Sequence, residues 1–261
     1  MLAGVFAVNT NHYFFILSDR ALTNGKILII LNVGKLTMKE NYYAKSLNAQ
    51  KLYQVYQTKY PRVKQYFEAE ISFVKNQLQG TEHVLELGAG YGRIMKELSS
   101  NCASITGIDI SEGNVEFGNE YLSDVPNAKL IVMNAHDLKF SESFDVVLCL
   151  QNALSAMKTQ PLEYIKKIMA LLSPGGKAFI SSYSVKFWEH RMAWFHEQSE
   201  KGLLGEIDME QTKDGVIICK DGFRATTHSP QDMDSIGKAS GFQYDVTEVD
   251  ESSVFLVITK K

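Results

Sequence analysis

The stretch Val84–Leu98, VLELGAGYGRIMKEL, constrains this chain more than any other. An apolar run of strand character ends in Glu86. Gly88, Gly90 and Gly92 follow, and an amphipathic segment begins behind them. This order predicts a buried strand, a tight turn and a helix, the unit from which parallel sheets are wound. The turn is suited to close approach, because glycine tolerates backbone shapes and contacts that a Cβ forbids. The dinucleotide-binding fingerprint has the spacing G-x-G-x-x-G, and here Arg93 stands at its third glycine. A phosphate-binding P-loop needs Gly-Lys-Ser/Thr, which the stretch lacks. Glu86, just ahead of the turn, would repel a pyrophosphate and attract an ammonium or sulfonium group. The loop therefore suits a nucleoside that brings positive charge rather than phosphate.

The rest of the chain repeats the unit. SITGIDIS predicts a second strand ending in Asp109, whose carboxylate can accept hydrogen bonds from both ribose hydroxyls. EGNVEFGNEYL predicts a helix with Ser111 as its N-cap. AKLIVMNA and FDVVLCLQ give a third and a fourth strand, the latter an unbroken apolar run suited to a strand covered on both faces. PLEYIKKIMALL is helical, SPGG turns the chain, and KAFISSYS is a fifth strand. VTEVDESSVFLVITKK closes the chain as an antiparallel hairpin. Upstream, residues 40–79 read as helices, with Pro61 in a first turn and Gly80 as the C-terminal stop. Only residues 185–229 break the alternation. They begin as an aromatic helix and then carry Lys-Asp-Gly twice, which predicts a meander of two or three short strands.

Length and charge narrow the class. At 261 residues the chain can bury a core with room for a cofactor. A net charge of -3, without a dense Lys/Arg cluster, argues against a nucleic-acid partner. Neither apolar run in residues 1–37 reaches the roughly 18 residues of a spanning helix, and no basic segment opens a secretory signal. Those residues are expected to be an upstream extension that need not belong to the native protein, with the domain proper starting at Met38, or else a short strand pair packing on that domain. Cys102, Cys149 and Cys219 lie far apart, so neither a metal site nor a disulfide framework is indicated. Buried thiols in a reducing cytoplasm, away from membranes, are the expectation.

VLELGAGYGR, ITGIDIS, NAHDLKF, FDVVLCLQNALSAM and LLSPGGKAFIS occur in this order and spacing. Together they resemble the class I methyltransferases that use S-adenosylmethionine. The resemblance covers residues 81–184 closely and 241–261 in outline. It implies an α/β, Rossmann-like fold: a seven-stranded, mostly parallel sheet with the last strand antiparallel and helices on both faces. It implies S-adenosylmethionine as cofactor. Gly88, Ala89 and Gly90 would pass under its methionine and ribose portions, so that a side chain at Gly90 would stand in its place. Glu86 would lie near the amino group, Asp109 would hold the ribose hydroxyls, and Ile110 would flank the adenine. Gly92, Ala135 and Leu150 complete the expected cofactor set. Many members have an acidic residue where this chain has Asn134, whose amide oxygen can accept the same hydrogen bond. Lys139 replaces a proline, and His136 is expected to show its ring to solvent.

Methyl transfer from a sulfonium needs positioning more than a catalytic constellation. The acceptor is expected beyond the fourth strand, beside Gln151 and Asn152, with Asn152 orienting it or capping the next helix. That segment lacks the N-P-P-Y/F form of many nucleic-acid and protein methyltransferases and is more similar to small-molecule ones. Tyr42 and Tyr43 are candidates to close over the sulfonium. Residues 185–229 are expected to form a lid, with Arg191 and Arg224 gripping a substrate carboxylate, or else an aromatic seal with both arginines at its rim. A tRNA- or protein-modifying enzyme and a non-catalytic cofactor-binding scaffold are the alternatives. A nicotinamide oxidoreductase is disfavoured by the missing third glycine.

Overall fold

The computed structural model describes residues 21–23, 26–28, 42, 46–47, 49–158 and 160–261. The chain divides into residues 1–41 and 42–261. In the first unit β1 (Ala21–Thr23) and β2 (Lys26–Leu28) pair antiparallel. The rest of the expected extension lies outside the described residues, and so does Tyr43.

The second unit is wound around one seven-stranded sheet. Its strands are β3 (His83–Leu87), β4 (Ser104–Asp109), β5 (Ala128–Val132), β6 (Phe144–Cys149), β7 (Leu172–Tyr183), β10 (Gln243–Val249) and β11 (Ser253–Thr259). The spatial order is β10-β11-β7-β6-β3-β4-β5. β3 to β7 run parallel to one another, and β11 runs antiparallel to both β7 and β10. This is the sheet expected, with the last strand reversed. From β3 the chain moves outward to β4 and β5, then returns to the other side of β3 as β6. Such a reversal opens a crevice at the carboxyl ends of the strands on either side of it. The glycine loop leaves β3 there, and Gln151 and Asn152 leave β6 there.

Successive residues of a strand face opposite sides of the sheet. Val84, Val146 and Leu148 pack on one side with Ile71, Val74, Ile94 and Met95. Leu85, Leu87 and Val147 pack on the other with Ile165, Ile168 and Met233. Both faces are covered, which is why the strands read as unbroken apolar runs. Helices α2 (Pro61–Lys75), α3 (Arg93–Leu98) and α4 (Glu112–Tyr121) line the first side, and α6 (Pro161–Leu171) and α8 (Pro230–Ser240) the second. A third apolar cluster joins α1 (Ala49–Tyr56) and α2 to α7 (Trp188–Glu200) and to the paired strands β8 (Val216–Ile218) and β9 (Arg224–Thr226). Among its buried side chains are Val63, Phe67, Phe187, Trp194, Phe195 and Phe223, each worth about 2 kcal/mol on removal from water.

Local signals were met at Ser111, which accepts a hydrogen bond from the Asn114 amide, and at Pro61, which opens α2. Other expectations need correction. α2 ends at Lys75, not at Gly80. The Glu82 carboxylate accepts from the Gln79, Gly80 and Thr81 amides and so folds the chain after the helix, where Gly80 takes a positive φ. Ser-Pro-Gly-Gly does not precede β7 but bulges within it, because Gly175 and Gly176 pair with Lys260 while the register against β6 shifts. Helix α8 went unassigned, although Ser229 and Asp232 make a capping box at its start and Gly241 ends it.

α4 meets the glycine loop at Gly118, where an added Cβ would stand 2.8 Å from the Tyr91 carbonyl oxygen. Backbone cannot yield there as a side chain can. Gly118→Val should cost about 2 kcal/mol, read as a lower urea midpoint at unchanged slope. An unchanged midpoint would contradict this packing.

Candidate functional site

The glycine loop is left-handed at Gly88, Gly90 and Gly92, with φ of 73, 56 and 85°. Only glycine adopts this shape without strain. The Gly88 and Ala89 amides both donate to the Ile108 carbonyl at 2.9 Å, which pins the loop to the end of β4. The Gly90 amide donates to Asp109 Oδ2 at 3.0 Å. Asp109 Oδ1 accepts from the Ser111 amide at 2.9 Å and from Asn114 Nδ2 at 3.1 Å. Burial pushes this carboxyl group above its ordinary value, and the three N–H donors oppose the shift. Ile110 follows, half-buried.

Helix α1 roofs the loop. Its first amide, Ala49, donates to Asn114 Oδ1 at 2.6 Å. A Cβ at Gly90 would come within 2.8 Å of Leu52 Cδ2. A side chain at Gly90 would therefore also meet Leu52 of α1. Tyr53 and Tyr56 on the same helix meet the Tyr91 ring at 5.6 and 6.1 Å.

Behind the loop lies a buried group of charges. Glu70 of α2 is fully buried, and its carboxylate accepts from Ser181 Oγ at 2.5 Å, from the Gln151 amide at 3.2 Å and from Gln151 Nε2. Glu86 is buried, and its Oε2 has no partner. The Arg93 guanidinium lies 4.4 Å from the Tyr56 ring centroid and 5.1 Å from that of Phe67, while its Nε and Nη2 are buried without hydrogen bonds. Gln151 Oε1 is likewise orphaned. Buried polar atoms are seldom left so, and these four, two of them on the guanidinium itself, call for a ligand carrying both donors and acceptors. Burial pushes the Glu86 carboxyl up to about 8, against the pull of Arg93. Burial also raises Glu70, against its bonds to Ser181 and Gln151.

Gln151 and Asn152 are consecutive non-glycine residues in left-handed conformation, φ 54 and 60°. Such residues cost on the order of 1 kcal/mol each and persist where surrounding bonds over-determine them. Here Glu70 holds Gln151. Asn152 is buried, donating from Nδ2 to the Thr226 carbonyl at 3.0 Å and accepting from Ser182 Oγ at 2.9 Å. Its side chain makes no cap bond to α5 (Ala153–Ala156), and its role is to tie β6, β7 and β9 together.

The remaining candidates fall in several places. Ala135 and Leu150 are buried and Asn134 is half-buried, its Oδ1 accepting from the His136 amide at 2.9 Å. His136 does more than face solvent, since its Nε2–H donates to the Met157 carbonyl at 2.9 Å. Tyr42 donates to Asp221 and sets its ring edge-on to Phe223, so it belongs to the meander rather than to the glycine loop. Arg191 is 1% exposed. It donates to the Gly215 carbonyl at 3.1 Å and to Thr227 Oγ1 at 2.5 Å, with its guanidinium 4.3 Å from the Tyr183 ring centroid. It thus braces the aromatic cluster from within, at neither a solvated rim nor an open grip. Arg224 is exposed. Trp194 Nε1 donates to the Val55 carbonyl at 3.1 Å, so α7 seals against the N-terminal helices.

Glu70, Arg93 and Leu52 were missed as site residues. Glu70 shares the apolar face of α2 with Phe67, Ile71 and Val74, and a carboxylate on such a stripe was a readable signal. Arg93 was noted only as a displaced glycine. Nothing local marked Leu52.

Comparison with known proteins agrees with this geometry. Residues 84–176 match the family model described as a methyltransferase domain. Over 108 residues the chain is 30% identical to a ubiquinone biosynthesis O-methyltransferase of Coxiella burnetii, which covers 41% of this chain and 45% of the relative. Over 107 residues it is 30% identical to a demethylmenaquinone methyltransferase of Clavibacter sepedonicus, 40% of this chain and 42% of the relative. The chain thus spans less than half the length of these curated relatives. A solved methyltransferase from Methanosarcina mazei shares the fold with a TM-score of 0.54 at 20% identity, covering 72% of this chain and 96% of that one. The fold is that of the Rossmann-like methyltransferases. Residues 84–176 are thus a methyltransferase domain. Among the described residues no helix is long and apolar enough to cross a membrane.

Glu86 gives a pH test. Its carboxyl titrates near 4.5 when free and near 8 in the fold. The fold therefore holds the proton more tightly than the unfolded chain, and this contribution to stability declines as pH rises from about 4.5 and is lost by about 8, above which it levels off. Thermal melts of ligand-free protein from pH 6 to 9 should show this decline, and Glu86→Gln should flatten it. An equally steep decline in the variant would place the charge penalty elsewhere.

Proposed function

We propose that this protein binds S-adenosylmethionine over the glycine loop and transfers its methyl group to a small-molecule acceptor at the carboxyl ends of β6 and β7. The observation that carries the reading is the buried set of unpartnered atoms behind the loop, a carboxylate and a guanidinium that match the two ends of an amino-acid zwitterion. Glu86 would take the ammonium and Arg93 the carboxylate. Asp109 Oδ2, which accepts only from the Gly90 amide, keeps one lone pair for a ribose hydroxyl. The backbone of Gly88, Ala89, Gly90 and Gly92 would take the nucleoside once the Leu52 and Met157 side chains, which lie over Gly90 and Gly88, turn aside. Ile110, Ala135 and Leu150 supply apolar surface for the base, and Asn134 Oδ1 retains a lone pair for its amino group.

When bound, S-adenosylmethionine supplies a methyl group already activated by its sulfonium. The protein's own task is to position the acceptor and exclude water. Glu70 fixes Gln151 by backbone and side chain together, leaving Gln151 Oε1 to orient the acceptor. The apolar cluster of α1, α2 and α7 would shield the reacting groups from solvent. In this reading residues 38–261 work as one methyltransferase unit, with residues 185–229 and the N-terminal helices as its cover. A small-molecule acceptor is supported by the names of the curated relatives, a ubiquinone biosynthesis O-methyltransferase and a demethylmenaquinone methyltransferase. It is also supported by the net charge of -3, which suits nucleic acid poorly.

Calorimetry tests the reading. S-adenosylmethionine should bind with micromolar affinity, and Asp109→Ala should weaken it by about 1–3 kcal/mol. Arg93→Met should weaken S-adenosylmethionine by about 2 kcal/mol yet leave 5′-methylthioadenosine, which lacks the amino-acid end, unchanged. Equal losses for both ligands would deny Arg93 its partner. Failure of the wild-type protein to bind the cofactor, or to release S-adenosylhomocysteine with any of a panel of amines, carboxylates, thiols and phenols, would overturn the proposal.

A further inference from the structure

Beside the ends of β6 and β7 lies a cleft of about 260 Å³, lined by Leu154, Ser155, Lys158, Arg224, Thr226 and His228. Two short elements face each other across it. Arg224, Thr226 and His228 alternate along one extended segment and so share a face. Ala225, between them, is buried in the aromatic cluster, and Thr227 serves Arg191. Opposite stand Ser155 and Lys158, three residues apart at the end of α5. The Thr226 amide donates to Ser155 Oγ at 3.0 Å and holds the two walls together.

Lys158 and Arg224 make the lining basic, and among the described residues no carboxylate lines the cleft, while Asp232 of α8 acts electrostatically on His228. Among the described residues neither Lys158 nor Arg224 is in an ion pair. His228 Nδ1 is buried and lacks a hydrogen-bond partner. Two uncompensated cations and an unpartnered imidazole nitrogen in one cleft define a place for an oxyanion, which a guanidinium and an ammonium bind through charge-assisted hydrogen bonds.

The position connects it to the proposed chemistry. The Thr226 carbonyl accepts from Asn152, and the His228 amide donates to Ser182 Oγ at 2.9 Å, which in turn donates to Asn152. The cleft wall is thus bonded to the strand ends where the acceptor is expected. Met157, next to Lys158, reaches over the glycine loop, its Cε 3.0 Å from where a Gly88 Cβ would stand. We propose that this cleft holds the anionic group, a carboxylate or phosphate, of the methyl acceptor. The inference rests on the methyl-transfer reading and names its substrate class. It replaces the expected pairing of Arg191 with Arg224, since Arg191 is committed elsewhere and Lys158 and His228 take its place.

The test has two arms. Inorganic phosphate is titrated into the protein while the His228 imidazole resonances are followed by NMR. Binding should be saturable and weakened at least tenfold by Arg224→Met and by Lys158→Met, with affinity for S-adenosylhomocysteine unchanged in both. The absence of saturation, or equal binding in wild type and variants, overturns the site. In the second arm, acidic acceptors are compared with their neutral amides. The acids should have KM values at least tenfold lower, and Arg224→Met should abolish that advantage without changing cofactor affinity. Equal KM values for acid and amide overturn the assignment to the acceptor. Should S-adenosylhomocysteine not bind at all, the methyl-transfer reading falls, and the phosphate titration still decides whether the cleft is an anion site.

Discussion

A carboxylate that solvent does not reach, Glu70, holds the working end of this sheet together. From α2 it bonds Ser181 on β7 and both the backbone and the side chain of Gln151 beyond β6. Burying a carboxylate is costly unless hydrogen bonds surround it, so its three donors are not interchangeable with apolar packing. They fix the spacing of two strand ends, and they hold Gln151 in a backbone shape that this residue type would otherwise leave. Asn152 then turns inward to Ser182 and Thr226, which places β9 and the wall of the basic cleft. The acceptor side of the molecule is in this sense assembled from one buried charge outward.

The cofactor side is organised by an imbalance. Glu70 and Glu86 share the neighbourhood of a single guanidinium, Arg93, and burial raises both carboxyls. The fold alone leaves Glu86 and Arg93 with unfilled bonding capacity. A ligand bearing an ammonium and a carboxylate would complete both, so binding energy is reserved for a zwitterion and is small for a nucleotide that brings only phosphate. This gives physical content to the loop spacing. Without a third glycine the helix start is occupied by Arg93, whose side chain turns back under α1 against Tyr56 and Phe67.

What was legible in the sequence follows from the range of the interactions. The buried apolar strands β3 and β6, the tight glycine turn, Asp109 at the end of β4 and the cap at Ser111 are determined within a few residues, and they were read correctly. Tertiary partners were not readable. Leu52 reaches Gly90 across the sequence, Asn152 reaches Thr226, and Arg191 reaches Gly215 and Thr227. The helical spacing of Trp188, Met192 and Phe195 showed a broad apolar face on α7 but could not say that it would meet α2 rather than a substrate. Arginine on such a face has two outcomes, a solvated grip or a buried brace, and only the packed aromatic rings around Arg191 decide for the brace. The basic cleft has the same character. Its two walls lie some seventy residues apart in sequence and meet through one bond from the Thr226 amide to Ser155.

A crystal structure of the protein with S-adenosylhomocysteine tests the central claim most directly. The account predicts the ligand over the glycine loop, its amino group on Glu86, its carboxylate on the Arg93 guanidinium and its ribose on Asp109. A ligand bound at any other place, or one whose amino-acid end left the Glu86 and Arg93 atoms unpartnered, would contradict it.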